Sequence, residues 1–187
     1  HDYYPESFVS LPDTRLEAFY WIQMYKLASA TRADQALIDN HGPWLEPTKW
    51  PYATWNLNVQ LTYWPCYPSG RLHLGESLCR ALDDNIDALI NNVPEPYRHD
   101  SAGIGRSATL DMIAEVGIPG QKDVGQYGVP EVGLLPWACH NYYLQYRYSM
   151  DRALLRDRLF PLMRRAFNYY LHFLERGEDG KLHLPPT

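Results

Sequence analysis

Between residues 73 and 92, Leu74, Leu78, Leu82, Ile86 and Leu89 recur at steps of three and four. That period puts all five on one stripe of an α-helix and excludes a strand, whose faces alternate every second residue. The same rhythm runs through much of the chain. Leu16, Phe19, Tyr20, Met24 and Leu27 predict a helix over about residues 13–31, opened by Ser10-Leu11-Pro12-Asp13 with a hydroxyl cap and a proline in the first turn. Trp21, Ile22 and Tyr25 make its other side apolar too, so this helix is expected to be covered on more than one face. Two further helices are expected at 130–150, carrying Trp137, Cys139, His140, Tyr143 and Leu144, and at 151–176, interrupted at Pro161. A short helix is expected near 109–116, and a short extended segment at 181–184 after the Gly177-Glu178-Asp179-Gly180 turn. No strand alternation recurs. The expected fold class is therefore all-α, built of helical hairpins joined by long loops.

Composition narrows the function classes. The chain has 187 residues, 45% of them hydrophobic, enough for one sizeable core. A net charge of −5 with interspersed signs leaves no nucleic-acid footprint. No apolar run approaches the roughly 20 residues that span a membrane. Cys66, Cys79 and Cys139 are odd in number and lack metal spacing, so buried free thiols are expected. No metal or cofactor motif is recognised. Asp83, Asp84 and Asp87 read as a solvated helix face, and Glu76 and Asp111 as isolated carboxylates. Glu131 reads as a charge favoured by the N-terminal dipole of the helix that follows. Residues 98–106 have the polar and small residues of a binding loop, but their Gly-x-Gly lacks the strand and the lysine of a phosphate cradle. The opening His1-Asp2-Tyr3-Tyr4-Pro5 reads like the middle of a domain.

Chemistry concentrates in one stretch. Asn56, Asn58 and Gln60 stand two apart within a frame of Trp55, Tyr63 and Trp64, just after the turn-rich, tryptophan-bearing segment that holds Trp44. A dry core does not tolerate unpaired amides, each costing roughly 1–3 kcal/mol. Aromatic walls with neutral donors and acceptors describe a site for a polyhydroxylated ligand. The plainer reading is that an asparagine caps a short helix ending near Trp64-Pro65. Residues two apart on a helix point about 200° apart, so Asn56 and Asn58 share a cavity only at a helix start or in irregular backbone.

Asn56-Leu57-Asn58-Val59-Gln60 followed by Tyr63-Trp64-Pro65 resembles the Asn-x-Asn-x-Gln-x-x-Tyr-Trp-Pro motif of glycoside hydrolase family 95. Trp137-Ala138-Cys139-His140, Tyr146-Arg147-Tyr148 and Asp151 resemble its Trp-x-x-His…Tyr-Arg…Asp helix pair, and Asp179-Gly180 with Leu184-Pro185-Pro186-Thr187 resembles the turn leading to its acid loop. The likeness runs from Leu11 onward and weakens over 94–128, where the family's Gly-Trp…His-His…Asp segment is not recognisable. It implies about half of an (α/α)6 toroid from an inverting α-L-fucosidase or α-L-galactosidase, acting on an oligosaccharide or polysaccharide glycan outside the cytoplasm. It also implies that Asn56 and Asn58 hold the attacking water and that His140 contacts substrate; Trp137 on the same helix, and Trp44 and Trp55 near the amides, are expected to line the sugar site. The family's general acid and assisting aspartate are expected beyond Thr187, and apolar helix faces left uncovered imply self-association. Two other classes stay open: a helical-toroid polysaccharide lyase using His99 or His140 as base, and a sugar-binding module without chemistry.

Overall fold

A computed structural model describes residues 8–38, 40, 49–50, 52–121, 125 and 130–185. Six α-helices carry the described residues: α1 (Thr14–Ala30), α2 (Asn58–Tyr63), α3 (Leu72–Asp84), α4 (Ile86–Asn91), α5 (Leu134–Ser149) and α6 (Phe160–Leu171). Among the described residues, strand is confined to two antiparallel two-residue pairs, β1 (Ala53–Thr54) with β2 (Ser107–Ala108), and β3 (Glu175–Arg176) with β4 (Leu182–His183). The all-α expectation holds.

Several ends differ from expectation for local reasons. Asp13, not Ser10, caps α1, accepting hydrogen bonds from the Arg15 and Leu16 amides. The 73–92 stripe is broken at Asn85, whose side chain turns back to the Ala81 carbonyl and separates α3 from α4. Met150 adopts a left-handed conformation that ends α5, and Asp151 then caps the next turn through the Ala153 and Leu154 amides. Pro161 lacks the N–H that would bond back one turn, and the chain runs through a π-helical turn at Leu154–Leu159 before α6 begins.

Residues 109–116 form no helix; among them only a turn at 110–111 is regular. Their order comes from buried Asn92, which donates to the Gly103 and Met112 carbonyls and accepts from the Ala114 amide. Gly103 passes so close to Val93 and Val116 that a Cβ there would lie 2.8 Å from a Val116 methyl. Only glycine fits that approach.

The core gathers Leu74, Leu78 and Leu82 of α3, Leu135, Ala138 and Tyr142 of α5, and Tyr63 and Trp55. Arg158 ties the layers together: it bridges Glu76 at 2.6 Å and Asp83 at 2.7 Å, Tyr142 also donates to Asp83, and the guanidinium lies 5.5 Å from the Tyr142 ring centre. Glu76 and Asp83 are thus partners in a network between α3 and the π-helical turn, not isolated or solvated charges. Helix α1 also departs from expectation. Met24 is its one buried residue, while Leu16, Phe19, Ile22 and Tyr25 are exposed. Within this chain the helix is covered on a single face.

Candidate functional site

The amide stretch lies where β1 runs into α2. Residues 55–57 form a turn, and Leu57 sits at φ 87° and ψ −49°, a strained γ-turn conformation for a residue with a branched side chain. Holding a non-glycine residue there costs roughly 1–3 kcal/mol, which the surrounding packing must offset. The reversal at Leu57 separates Asn56 from the helix and makes Asn58 the first residue of α2. They bracket a helix start, as a shared cavity would require, but both asparagines are exposed and no cavity among the described residues is lined by them.

Gln60 has a different task from its two neighbours. It is fully buried, its side-chain Nε2 donates to the Trp55 carbonyl at 2.5 Å, and its backbone carbonyl receives a hydrogen bond from Asn141 Nδ2 of α5 at 2.8 Å. The Trp55 amide in turn donates to the Arg106 carbonyl at 2.8 Å, continuing the β1–β2 pairing. The turn bearing Asn56 is therefore held from α5 on one side and from β2 on the other.

Arg106 then closes a loop of contacts. Its guanidinium grips Glu131 through both carboxylate oxygens at 2.6–3.0 Å, and Asn56 Nδ2 donates to Glu131 Oε1 at 3.2 Å. The Glu131 side chain keeps only 14% of its exposure, against 36% for Arg106. Glu131 precedes Gly133, the cap residue of α5, so its carboxylate serves this ion pair rather than the helix dipole. The outcome is a fork-shaped charged pair that fixes the rotamer of one exposed amide. Because Nδ2 faces Glu131, the amide oxygen of Asn56 remains to accept a proton donor.

The other expected site residues fall in different places. Trp137 is half-buried and His140 exposed; three apart on α5, they are neighbours on its surface. Trp55 is fully buried among the core residues, so its ring forms the floor under the turn and offers no face to a sugar. Its indole N–H has no hydrogen-bond partner. Trp44 lies outside the described residues. His99 pairs with Asp100 and His172 and takes no part in the Asn56 contacts. Arg106 and Glu131 were not legible as a pair, since their partnership spans a separation of 25 residues. The polar, small-residue composition of 98–106 was the one available signal.

All three cysteines are buried and free. Burial pushes the Cys66 and Cys139 thiols up to about 12 and raises Cys79 as well. None is a nucleophile at neutral pH. Among the described residues, no helix is long and apolar enough to cross a membrane.

Comparison with known proteins adds two findings. A family model described as the glycosyl hydrolase family 95 catalytic domain matches residues 6–187. Alpha-L-fucosidase 2 of Arabidopsis thaliana is 23% identical over 177 residues, a match that covers 92% of this chain and 20% of that protein. The chain thus spans about one fifth of the length of that relative.

Proposed function

Because the chain belongs to glycosyl hydrolase family 95, we propose that it supplies the water-holding wall of an inverting hydrolase for terminal α-L-fucosyl or α-L-galactosyl residues. One observation carries this reading: the family match includes Asn56 and Asn58 at a helix start, with Asn56 clamped by an Arg106–Glu131 pair. Inversion needs a polarised water on one face of the sugar and an acid on the other. In this reading the Asn56 oxygen, left free by the Nδ2–Glu131 contact, accepts a hydrogen bond from the water, and Asn58 supplies a second amide. Trp137 and His140 offer a neighbouring aromatic and polar surface for the glycan. The general acid and the carboxylate that deprotonates the water come from further sequence, and the chain forms about half of an (α/α)6 toroid. A secreted or periplasmic setting follows from the glycan substrate. The exposed apolar side of α1 is an internal contact of that toroid and drives self-association when left bare.

The test uses this polypeptide together with whatever its gene encodes after Thr187. Turnover of 4-nitrophenyl α-L-fucoside or α-L-galactoside with inversion at the anomeric carbon, read by NMR, is the expected result. Asn56→Ala and Asn58→Ala each lower kcat roughly 10²-fold or more and leave KM nearly unchanged, since water activation belongs to the transition state. The 187-residue chain by itself is expected to turn over neither substrate. An unsaturated, ultraviolet-absorbing product would assign a lyase instead. Sugar binding without turnover would assign a binding module.

A further inference from the structure

A second cluster of polar side chains stands at the C-terminal end of α6. The turn over residues 97–101 is stitched to that helix by its backbone: Arg165 Nη1 donates to the Arg98 and Ser101 carbonyls, Asn168 Nδ2 donates to the Asp100 carbonyl, and the Ala102 amide donates to the Arg165 carbonyl. The stitching brings His172, the residue after α6, against the side chains of His99 and Asp100. His172 Nε2 lies 2.9 Å and His99 Nε2 3.7 Å from Asp100 Oδ1. One ligand atom from each of the three residues falls within 4.8 Å of the others.

Two features distinguish this cluster from an ordinary surface ion pair. His99 Nδ1 lies 2.9 Å from the Pro96 carbonyl oxygen, which can only accept, so the ring proton sits on Nδ1. Nε2, which faces Asp100 Oδ1 at 3.7 Å, is then the nitrogen able to offer its lone pair to a cation placed between them. A carbonyl holding the far nitrogen is also how metal-bound histidines are oriented. The second feature is orientation of the other ring: His172 is held by Tyr97, 5.1 Å between ring centres, and Ser101 Oγ donates to Asp100 Oδ1 at 2.8 Å.

We infer that His99, Asp100 and His172 form a binding site for a divalent transition-metal ion of the zinc class. In a tetrahedral site with bonds of about 2.0–2.2 Å the donor atoms stand roughly 3.3–3.6 Å apart, so the separations of 2.9 and 3.7 Å from Asp100 Oδ1 each need a shift of a few tenths of an ångström. All three donor atoms lie within 4.8 Å of one another, and a small shift of the exposed His99 side chain toward His172 closes the set. Two imidazoles and one carboxylate favour Zn²⁺, Co²⁺ or Ni²⁺ over Mg²⁺ and Ca²⁺, which prefer all-oxygen sets. The ion replaces the proton shared by His172 and Asp100, water completes its coordination, and the 97–101 turn is fastened to α6. This site does not depend on the glycosidase reading.

Titration of the EDTA-stripped 187-residue chain with ZnCl2 in a calorimeter is the test. One equivalent is expected to bind with these residues as ligands, and Co²⁺ to give a visible absorption band. At a hundredfold excess of free Zn²⁺ over Kd, Tm is expected to rise by roughly 5–10 °C. His99→Ala removes an exposed ring that packs little, so the variant folds; its Zn²⁺ affinity should fall at least tenfold. Asp100→Asn should weaken binding similarly, and His183→Ala, in the separate pair with Asp179, should leave it unchanged. Absence of binding to the native chain would overturn the assignment, and so would an affinity that His99→Ala does not alter.

Discussion

Replacing Glu131 with glutamine tests whether the Arg106 clamp orders the amide turn. The substitution keeps the shape, removes the charge and presents an NH2 group to a guanidinium that only donates. Glu131 now accepts contacts at 2.6–3.2 Å from Arg106 and Asn56 with 14% of its side chain exposed. Hydrogen bonds to a charged group contribute about 1.5–3 kcal/mol each when buried. Arg106 keeps 36% of its exposure, so water recovers much of that loss. The expected cost is about 1–2 kcal/mol, which for a chain of this size corresponds to a fall in Tm of roughly 2–8 °C. Differential scanning calorimetry reads it directly. Coupling to Asn56 is the sharper measure. In a cycle with Asn56→Ala, the double variant should lose less than the sum of the singles by about 0.5 kcal/mol or more, because the two residues share one contact. Strict additivity, or a Tm unchanged by Glu131→Gln, would refute the claim that this carboxylate positions the amide.

Other perturbations follow from the core. Tyr63→Phe removes a hydroxyl that accepts from the Ile38 amide at 2.9 Å and pairs with Ser77 at 2.8 Å, so urea denaturation should show a loss of about 1–3 kcal/mol with an unchanged m-value. The three thiols should resist a disulfide reagent in the native chain at pH 8 and react together only after unfolding, as they are buried and free. Burial raises Cys66, Cys139 and Tyr63 to about 12 in the folded state, so the folded chain holds these protons more tightly than the unfolded one. Their contribution is complete below the ordinary thiol value of 9.0 and is lost as pH climbs from there toward about 12, visible as a falling Tm. Sedimentation of the 187-residue chain should show concentration-dependent association, reduced by Phe19→Lys and Ile22→Glu on the bare side of α1.

Periodicity alone located the long helices, because a stripe such as Leu74-Leu78-Leu82 has one geometry that buries it. For the amide stretch the sequence indicated only a condition, that Asn56 and Asn58 can share a cavity only across a break in the helix, and the turn at Leu57 provides such a break. Local spacing could not determine which carboxylates have partners. Glu76 read as an isolated acid, Asp83 as part of a solvated face and Glu131 as a helix-end charge, yet each meets an arginine 25 to 82 residues away. The order of 101–116 is likewise tertiary, since one buried asparagine replaces the helix that local composition favoured. Trp55 shows the same limit, because an aromatic beside polar residues reads as a sugar platform until packing places it at 0% exposure. Sequence determined where backbone hydrogen bonds close locally, as a helix needs partners only four residues away. Side-chain charges and amides are satisfied across the fold, and their partners became definite only when α3, α5 and the β1–β2 pair had packed together.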